Sequence, residues 1–148
     1  MILAIDIGNT TVALGGIRDG RVCFVARMDT VRTRTAAEYR VEMDKIFAHR
    51  RHPERPMRFK GAVLTSVVPQ ITGALAECAC YYTGRKPVIV SPEIRTGLTM
   101  GVDEPHAVGK DRLVDAAYAA ANFPLPVVTV DLGTATTFNV VDENRVFR

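Results

Sequence analysis

The sequence predicts an α/β fold with a mixed sheet, laid out as a β-β-β-α-β-α-β-α unit followed by the first strands of a second unit. Three observations predict it. Short apolar strands alternate with stretches of helical periodicity, the pattern of layered α/β chains. Near the N-terminus, three strands follow one another closely, and Asp19-Gly20 between the second and third is a strong two-residue hairpin signal. The chain also writes one pattern twice, as Ile2-Leu-Ala-Ile-Asp6-Ile-Gly8-Asn-Thr-Thr11-Val and as Val128-Thr-Val-Asp131-Leu-Gly133-Thr-Ala-Thr136-Thr-Phe. The two aspartates stand 125 residues apart, too far for a solenoid repeat and about the size of half a domain.

Each element has a local reason. Ile2 to Asp6, Thr11 to Ile17 and Arg21 to Met28 read as an antiparallel meander. Thr35-Ala-Ala-Glu38 is a capping box, in which hydroxyl and carboxylate satisfy the first free amides of a helix. Tyr39, Met43, Ile46 and Phe47 follow at helical spacing and form its buried stripe. Gly61 to Ser66 is a short apolar strand. Pro69 then opens a second helix, with Ile71, Leu75, Cys78, Ala79 and Tyr82 facing the core and Gly84 ending it. Pro87 to Val90 is a strand, and a loop rich in Pro, Gly and Thr runs to about Pro105. A third, alanine-rich helix begins near Val108 to Asp111 and ends at Asn122.

Val127 to Asp131 and Thr136 to Val141 then restart the meander, giving a first lobe over residues 1–122 and the start of a second over 123–148. The second unit stops there. Its hairpin is expected to leave an apolar face uncovered and an edge unpaired, as in a piece of a longer protein or one covered by another chain.

Composition narrows the function classes. With 148 residues and 47% apolar side chains the chain can bury a real core. A net charge of +3, with 15 of the 19 basic residues Arg and spread out, is too mild to call for nucleic acid but suits a small anionic ligand. The densest basic stretch, residues 49–60, is broken by two prolines and reads as a solvated loop. Cys23, Cys78 and Cys80 lack metal-site spacing and read as small core residues in a reducing compartment. With no secretory leader pattern and no apolar run near the ~18 residues that span a bilayer, the expectation is a soluble, cytoplasmic protein.

The repeated turn carries the chemistry. An Asp ending a buried strand presents a carboxylate to a cleft, Gly permits a tight turn, and the following Asn or Thr offers amide and hydroxyl donors for phosphate oxygens. The carboxylate would repel phosphate unless a divalent cation or ordered water stood between them. Asp111 at a helix start is favoured by the helix dipole, and Arg112 beside it could hold an ion or an anionic substrate, although from the residues alone an N-cap Asp beside a surface Arg is the preferred reading. His106 is a lone loop histidine that could touch an anion or simply be solvated.

Such a unit begun twice, with an Asp-x-Gly turn each time, resembles the actin, sugar kinase and Hsp70 superfamily, whose ribonuclease H-like lobes clamp ATP. The wording Asp6-Ile-Gly-Asn-Thr10, Arg34-Thr-Ala-Ala-Glu-Tyr39, Ser66-Val-Val-Pro69, Gly109-Lys-Asp-Arg112 and Asp131-Leu-Gly-Thr-Ala-Thr136 is similar to type III pantothenate kinases in order and spacing, over the N-terminal part of such an enzyme. The resemblance implies ATP-dependent phosphorylation of pantothenate, the first step of coenzyme A biosynthesis. It implies an ATP-phosphate loop from Asp6 through Ile7, Gly8, Asn9, Thr10, Thr11 and Val12 to Ala13, with Asp6 near Mg²⁺ and Thr134 also touching ATP. It makes Asp131 the ligand of a monovalent cation, K⁺ or NH₄⁺. It makes Gly109, Lys110, Asp111 and Arg112 the pantothenate segment, with Asp111 as general base.

Three positions depart from the family pattern. Val102 stands where a Tyr packs on the pantoyl group, Lys110 replaces a small residue, and Asn139 stands where an acidic residue is common. The family continues with a Gly-Gly-x-Ile-x-Pro-Gly segment and works as a homodimer with pantothenate at the subunit junction, so dimerisation through the Gly109–Asn122 helix is expected and the 148 residues alone are expected to be inactive. A non-catalytic accessory homologue, of the kind once described for toxin-gene transcription, is the alternative. Neither a membrane nor nucleic acid is an expected partner.

Overall fold

A computed structural model describes residues 1–50, 57–133 and 135–148. They form two packed units, Met1–Ile89 and Val90–Arg148, each with its own sheet. The first unit runs β1 (Ile2–Ile7), β2 (Thr11–Arg18), β3 (Arg21–Asp29), α1 (Ala36–Ala48), β4 (Gly61–Ser66), α2 (Pro69–Thr83) and β5 (Val88–Ile89). Its sheet is mixed, in the order β3-β2-β1-β4-β5. The expected meander is antiparallel throughout, while β4 lies parallel to both β1 and β5. Asp19 and Gly20 close the β2–β3 hairpin with φ of 52° and 73°, the two left-handed positions that a type I′ turn requires.

Alternation along the strands decides which face is covered. Leu3, Ile5 and Ile7 of β1, Val12 and Leu14 of β2 and Leu64 of β4 join Tyr39, Met43 and Phe47 of α1 and Ile71, Leu75, Cys78 and Ala79 of α2 in one core. Ile46 and Tyr82 only pack against its edge. α1 begins with the expected capping box, Thr35 Oγ1 accepting from the Glu38 amide and the Glu38 carboxylate accepting from Thr35 N–H at 2.8 Å. α2 has no side-chain N-cap and is anchored instead through Ser66, whose hydroxyl accepts the Val68 N–H at 3.1 Å and the Thr72 hydroxyl at 2.7 Å. Gly84 ends it in the left-handed region, φ 69°.

The cysteine expectation holds only for Cys78, which is buried in the core, where burial pushes its thiol up to about 11. Cys23 and Cys80 are exposed, because β3 turns residue 23 outward and residues 78 and 80 diverge around α2. Residues 51–56 of the basic stretch lie outside the described residues.

The second unit contains β6 (Thr99–Met100), a 3₁₀ turn at Pro105–Ala107, α3 (Lys110–Asn122), β7 (Val127–Leu132), β8 (Thr136–Val141) and β9 (Val146–Phe147). Its sheet order is β6-β9-β8-β7, with β6 parallel to β9. Two expectations are corrected here. The β7–β8 hairpin does not stand alone: β9 continues it and β6 extends it, two-residue strands too short to leave a periodic signal. One face is also covered, since Ala116 and Ala120 of α3 pack against Val141 and Phe147, with Leu98, Met100, Val102, Val108, Leu125 and Val127 around them. The other face matches the expectation, with Val128, Val130, Leu132, Phe138 and Val140 exposed.

Candidate functional site

In the first unit the sequence places Asp6 to Ala13 across the β1–β2 turn, and four contacts fix that turn. Gly8 N–H donates to the Thr11 carbonyl at 3.0 Å, and the Thr30 hydroxyl donates to the Gly8 carbonyl at 2.7 Å. Thr30 N–H reaches the Thr10 carbonyl at 3.0 Å, and Arg32 Nη2 reaches Asn9 Oδ1 at 3.3 Å. Val67 N–H donates to the Ile7 carbonyl at 3.0 Å, which ties the Ser66-Val-Val-Pro69 segment to the end of β1. Glycine is needed at position 8 for space, not for a left-handed backbone: a Cβ there would come within 3.1 Å of the Thr11 carbonyl. Thr30 and Arg32 were not anticipated, because their part in the turn depends on β3 pairing with β2.

The predicted loop residues do not all point the same way. Asp6, Asn9 and Thr10 are exposed and Thr11 is half-buried, whereas Ile7 and Val12 are fully buried in the core and could meet a ligand only through their backbone. Asp6 is register-paired with Thr65 of β4, a buried residue whose hydroxyl has no hydrogen-bond partner among the described residues. In the second unit Asp131 is paired with Thr137 of the antiparallel β8, whose hydroxyl is likewise buried without a partner among the described residues, whereas the corresponding β2 partner of Asp6 is Ala13. Each repeated aspartate thus has a hard oxygen donor beside it, a donor set suited to Mg²⁺, K⁺ or water. Among the described residues no group of three or more His, Cys, Asp or Glu converges tightly enough to hold a metal.

α3 carries the Gly109-Lys-Asp-Arg112 segment. Gly109 is the N-cap, so Asp111 is the second residue inside the helix and not its N-cap, which corrects the simpler of the two sequence readings. Its Oδ1 accepts the Arg112 N–H at 2.8 Å. A Cβ on residue 109 would overlap that oxygen, so glycine makes room for the carboxylate to fold back over the helix start.

One helical turn on, Asp115 shares the Asp111 side of α3. Asp115 is exposed on the helix surface, yet desolvation by the surrounding fold and the nearby Asp131 and Asp111 carboxylates push its carboxyl above its ordinary value. Three carboxylates from two motif segments therefore share one electrostatic neighbourhood. Asp115 was missed in the sequence because only the packing of α3 on β7 reveals it.

Arg112 reaches from α3 to β8. Its Nε donates to Asn139 Oδ1 at 2.6 Å and its Nη2 to the Phe138 carbonyl at 2.9 Å. Asn139 is fully buried and passes the chain on to the Thr129 hydroxyl at 2.9 Å. Lys110 is half-buried at the first position of α3, Val102 packs into the hydrophobic cluster beneath the helix, and Thr134 lies outside the described residues. His106 is exposed and lies 3.3 Å from Glu93.

A family model for type III pantothenate kinase matches residues 2–148. The chain belongs to the type III pantothenate kinase family. Relatives named type III pantothenate kinase include one from Listeria innocua, 38% identical over the whole chain and 56% of its own length, and one from an Exiguobacterium species, 37% identical over 98% of the chain and 56% of its own. The chain thus spans about half the length of the curated relatives it matches. A solved Ppx/GppA family structure from Aquifex aeolicus aligns over 99% of the chain and 48% of its own at a TM-score of 0.44 and 20% identity, too distant to carry an argument.

The carboxylate cluster has a measurable signature in this pantothenate kinase-family chain. Because the folded Asp115 carboxyl holds its proton more tightly than the unfolded one, this group alone subtracts stability as pH rises through the carboxylate range. Asp115→Asn removes that loss. It is expected to raise the melting temperature at about pH 7 and leave it unchanged at about pH 3, where both states carry the proton; thermal unfolding at the two pH values checks this.

Proposed function

We propose that the protein carrying this chain transfers the γ-phosphoryl group of ATP to pantothenate, giving 4'-phosphopantothenate, and that this chain provides the first phosphate turn and the pantothenate segment. The observation that carries the reading is the packing of α3, which bears the Gly109–Arg112 segment, on the β7–β8 hairpin that bears the second Asp-x-Gly turn, with Arg112 bonded to β8.

In this mechanism Asp111 is the general base. It orients the pantothenate hydroxyl and accepts its proton late, because phosphoryl transfer depends mainly on positioning and charge neutralisation. Arg112 presents its free donors to an anionic part of the substrate. Gly8 to Ala13 and Thr134 hold the triphosphate, Asn9 to Thr11 nearest the transferred group. Asp6, through water or phosphate, would hold Mg²⁺ and Asp131 a K⁺ or NH₄⁺ ion, each beside its orphaned threonine hydroxyl. Bound there, the cations supply charge neutralisation for the phosphates.

The same reading keeps lobes at residues 1–122 and 123–148, a division by repeat and not by packing. It also includes a cytoplasmic homodimer formed through the Gly109–Asn122 helix. The support for that surface is the outward row of Val114 and Tyr118, one turn apart on α3, with Phe123 against Tyr118 at a ring separation of 6.5 Å. No helix among the described residues is long and apolar enough to cross a membrane.

The test is direct. Full-length protein incubated with ATP, Mg²⁺, K⁺ and pantothenate is expected to form 4'-phosphopantothenate, followed by mass spectrometry. ATP left intact and pantothenate unmodified would overturn the proposal.

A further inference from the structure

We propose that Arg32 is a phosphate-binding residue of the first turn, gripping the phosphate chain of the nucleotide from the segment that follows β3. The proposal rests on reading Asp6 to Ala13 as the phosphate turn.

Charge balance at the turn points to it. The turn carries the Asp6 carboxylate, and no Lys or Arg side chain occurs ahead of Arg18, at the far end of β2. Backbone amides and Thr hydroxyls bind phosphate oxygens, yet they bring no full positive charge. A divalent cation offsets only part of the combined charge of carboxylate and triphosphate. The fold brings a further cation to this place, since Arg32 Nη2 donates to Asn9 Oδ1 at 3.3 Å.

The backbone on both sides of Arg32 is held against the turn. Thr30 bonds to it twice, its N–H to the Thr10 carbonyl at 3.0 Å and its hydroxyl to the Gly8 carbonyl at 2.7 Å. The hydroxyl of Tyr39, a residue fully buried in the first core, accepts the Val31 N–H at 2.9 Å and donates to the Val31 carbonyl at 2.8 Å. Arg34 N–H closes on that same carbonyl at 3.1 Å. Among the described residues no ion pair involves Arg32. Arg32 and Asn9 are both exposed, so a phosphate oxygen can compete for the guanidinium, and a charged acceptor matched to its fork binds more strongly than a neutral amide. Because a guanidinium only donates, the Asn9 oxygen faces Arg32 and the Asn9 NH₂ is left to donate to the same phosphate.

Calorimetry with ATP on the full-length protein tests the proposal. Arg32→Gln is expected to weaken ATP binding by about tenfold or more, the loss of a charge-assisted contact, and Arg32→Lys by less. The melting temperature without nucleotide is expected to stay as in the wild type, since the side chain is exposed. In the wild type, ATP should shield Arg32 from modification by phenylglyoxal, read by peptide mass spectrometry, a result that needs no variant to fold. An ATP affinity of Arg32→Gln within about twofold of wild type overturns the proposal. So does a weakening that comes with a lowered melting temperature, or Arg32 modified alike with and without ATP. Wild type that binds ATP with Arg32 shielded, yet phosphorylates no pantothenate, sinks the kinase reading and keeps this one. Pantothenate phosphorylation with KM for ATP unchanged in Arg32→Gln sinks this proposal alone, and wild type that binds no ATP sinks both.

Discussion

Replacing Asp111 by Asn in the full-length protein is expected to lower kcat for pantothenate phosphorylation by a factor on the order of 10² or more. The amide keeps the size and most hydrogen bonds of the carboxylate but cannot take the hydroxyl proton. Its Oδ1 can still accept the Arg112 N–H, so the start of α3 should keep its geometry. The loss should therefore fall on kcat, with KM for ATP little changed. Steady-state kinetics with pantothenate as the varied substrate decides it, and turnover equal to wild type would remove Asp111 from the role of base. Neighbouring Asp115 offers a control: it shares the helix face, yet Asp115→Asn should act on stability and leave the proton acceptor in place.

Phe47→Ala is expected to destabilise the first unit by about 3–5 kcal/mol. Phe47 is 3% exposed, and three rings surround it: Phe24 of β3 at 6.1 Å, Phe59 ahead of β4 at 5.4 Å and Tyr82 of α2 at 5.0 Å. Removing the ring opens a cavity between sheet and helices, and it also ends three aromatic contacts worth about 0.5–1.5 kcal/mol each beyond burial. Against a typical total of about 5–15 kcal/mol this is a large share. Urea unfolding followed by far-ultraviolet circular dichroism should show the midpoint falling steeply at unchanged slope. A loss below about 1 kcal/mol would mean that the ring is not packed as described.

Wherever one physical cause acts locally, the sequence announced the structure. The Thr35–Glu38 box, the Asp19-Gly20 turn, the Gly84 stop and the strand Gly61–Ser66 each depend on a few adjacent residues, and each is found where local chemistry puts it. The repeated Asp-x-Gly phrase was plain for the same reason. What escaped depends on distant partners. β6 and β9 are two residues each and exist because they pair with one another across most of the second unit. Thr30 and Arg32 matter through strand pairing, and Asp115 through the packing of α3 on β7. Asn139 was read as a departure from a pattern, while its buried bond to Arg112 depends on a helix and a strand 27 positions apart in the chain. Position 8 was expected to need glycine for a turn and needs it for clearance.

The parallel pairing of Thr99 with Val146 also sets an order of assembly during translation. The first sheet has every strand in hand once Ile89 has left the ribosome. β6 emerges soon after and must wait, unmatched, until Phe147 has been added. A nascent polypeptide halted at Arg145 would own α3 and the β7–β8 ribbon, yet leave Thr99 and Met100 with no strand to join.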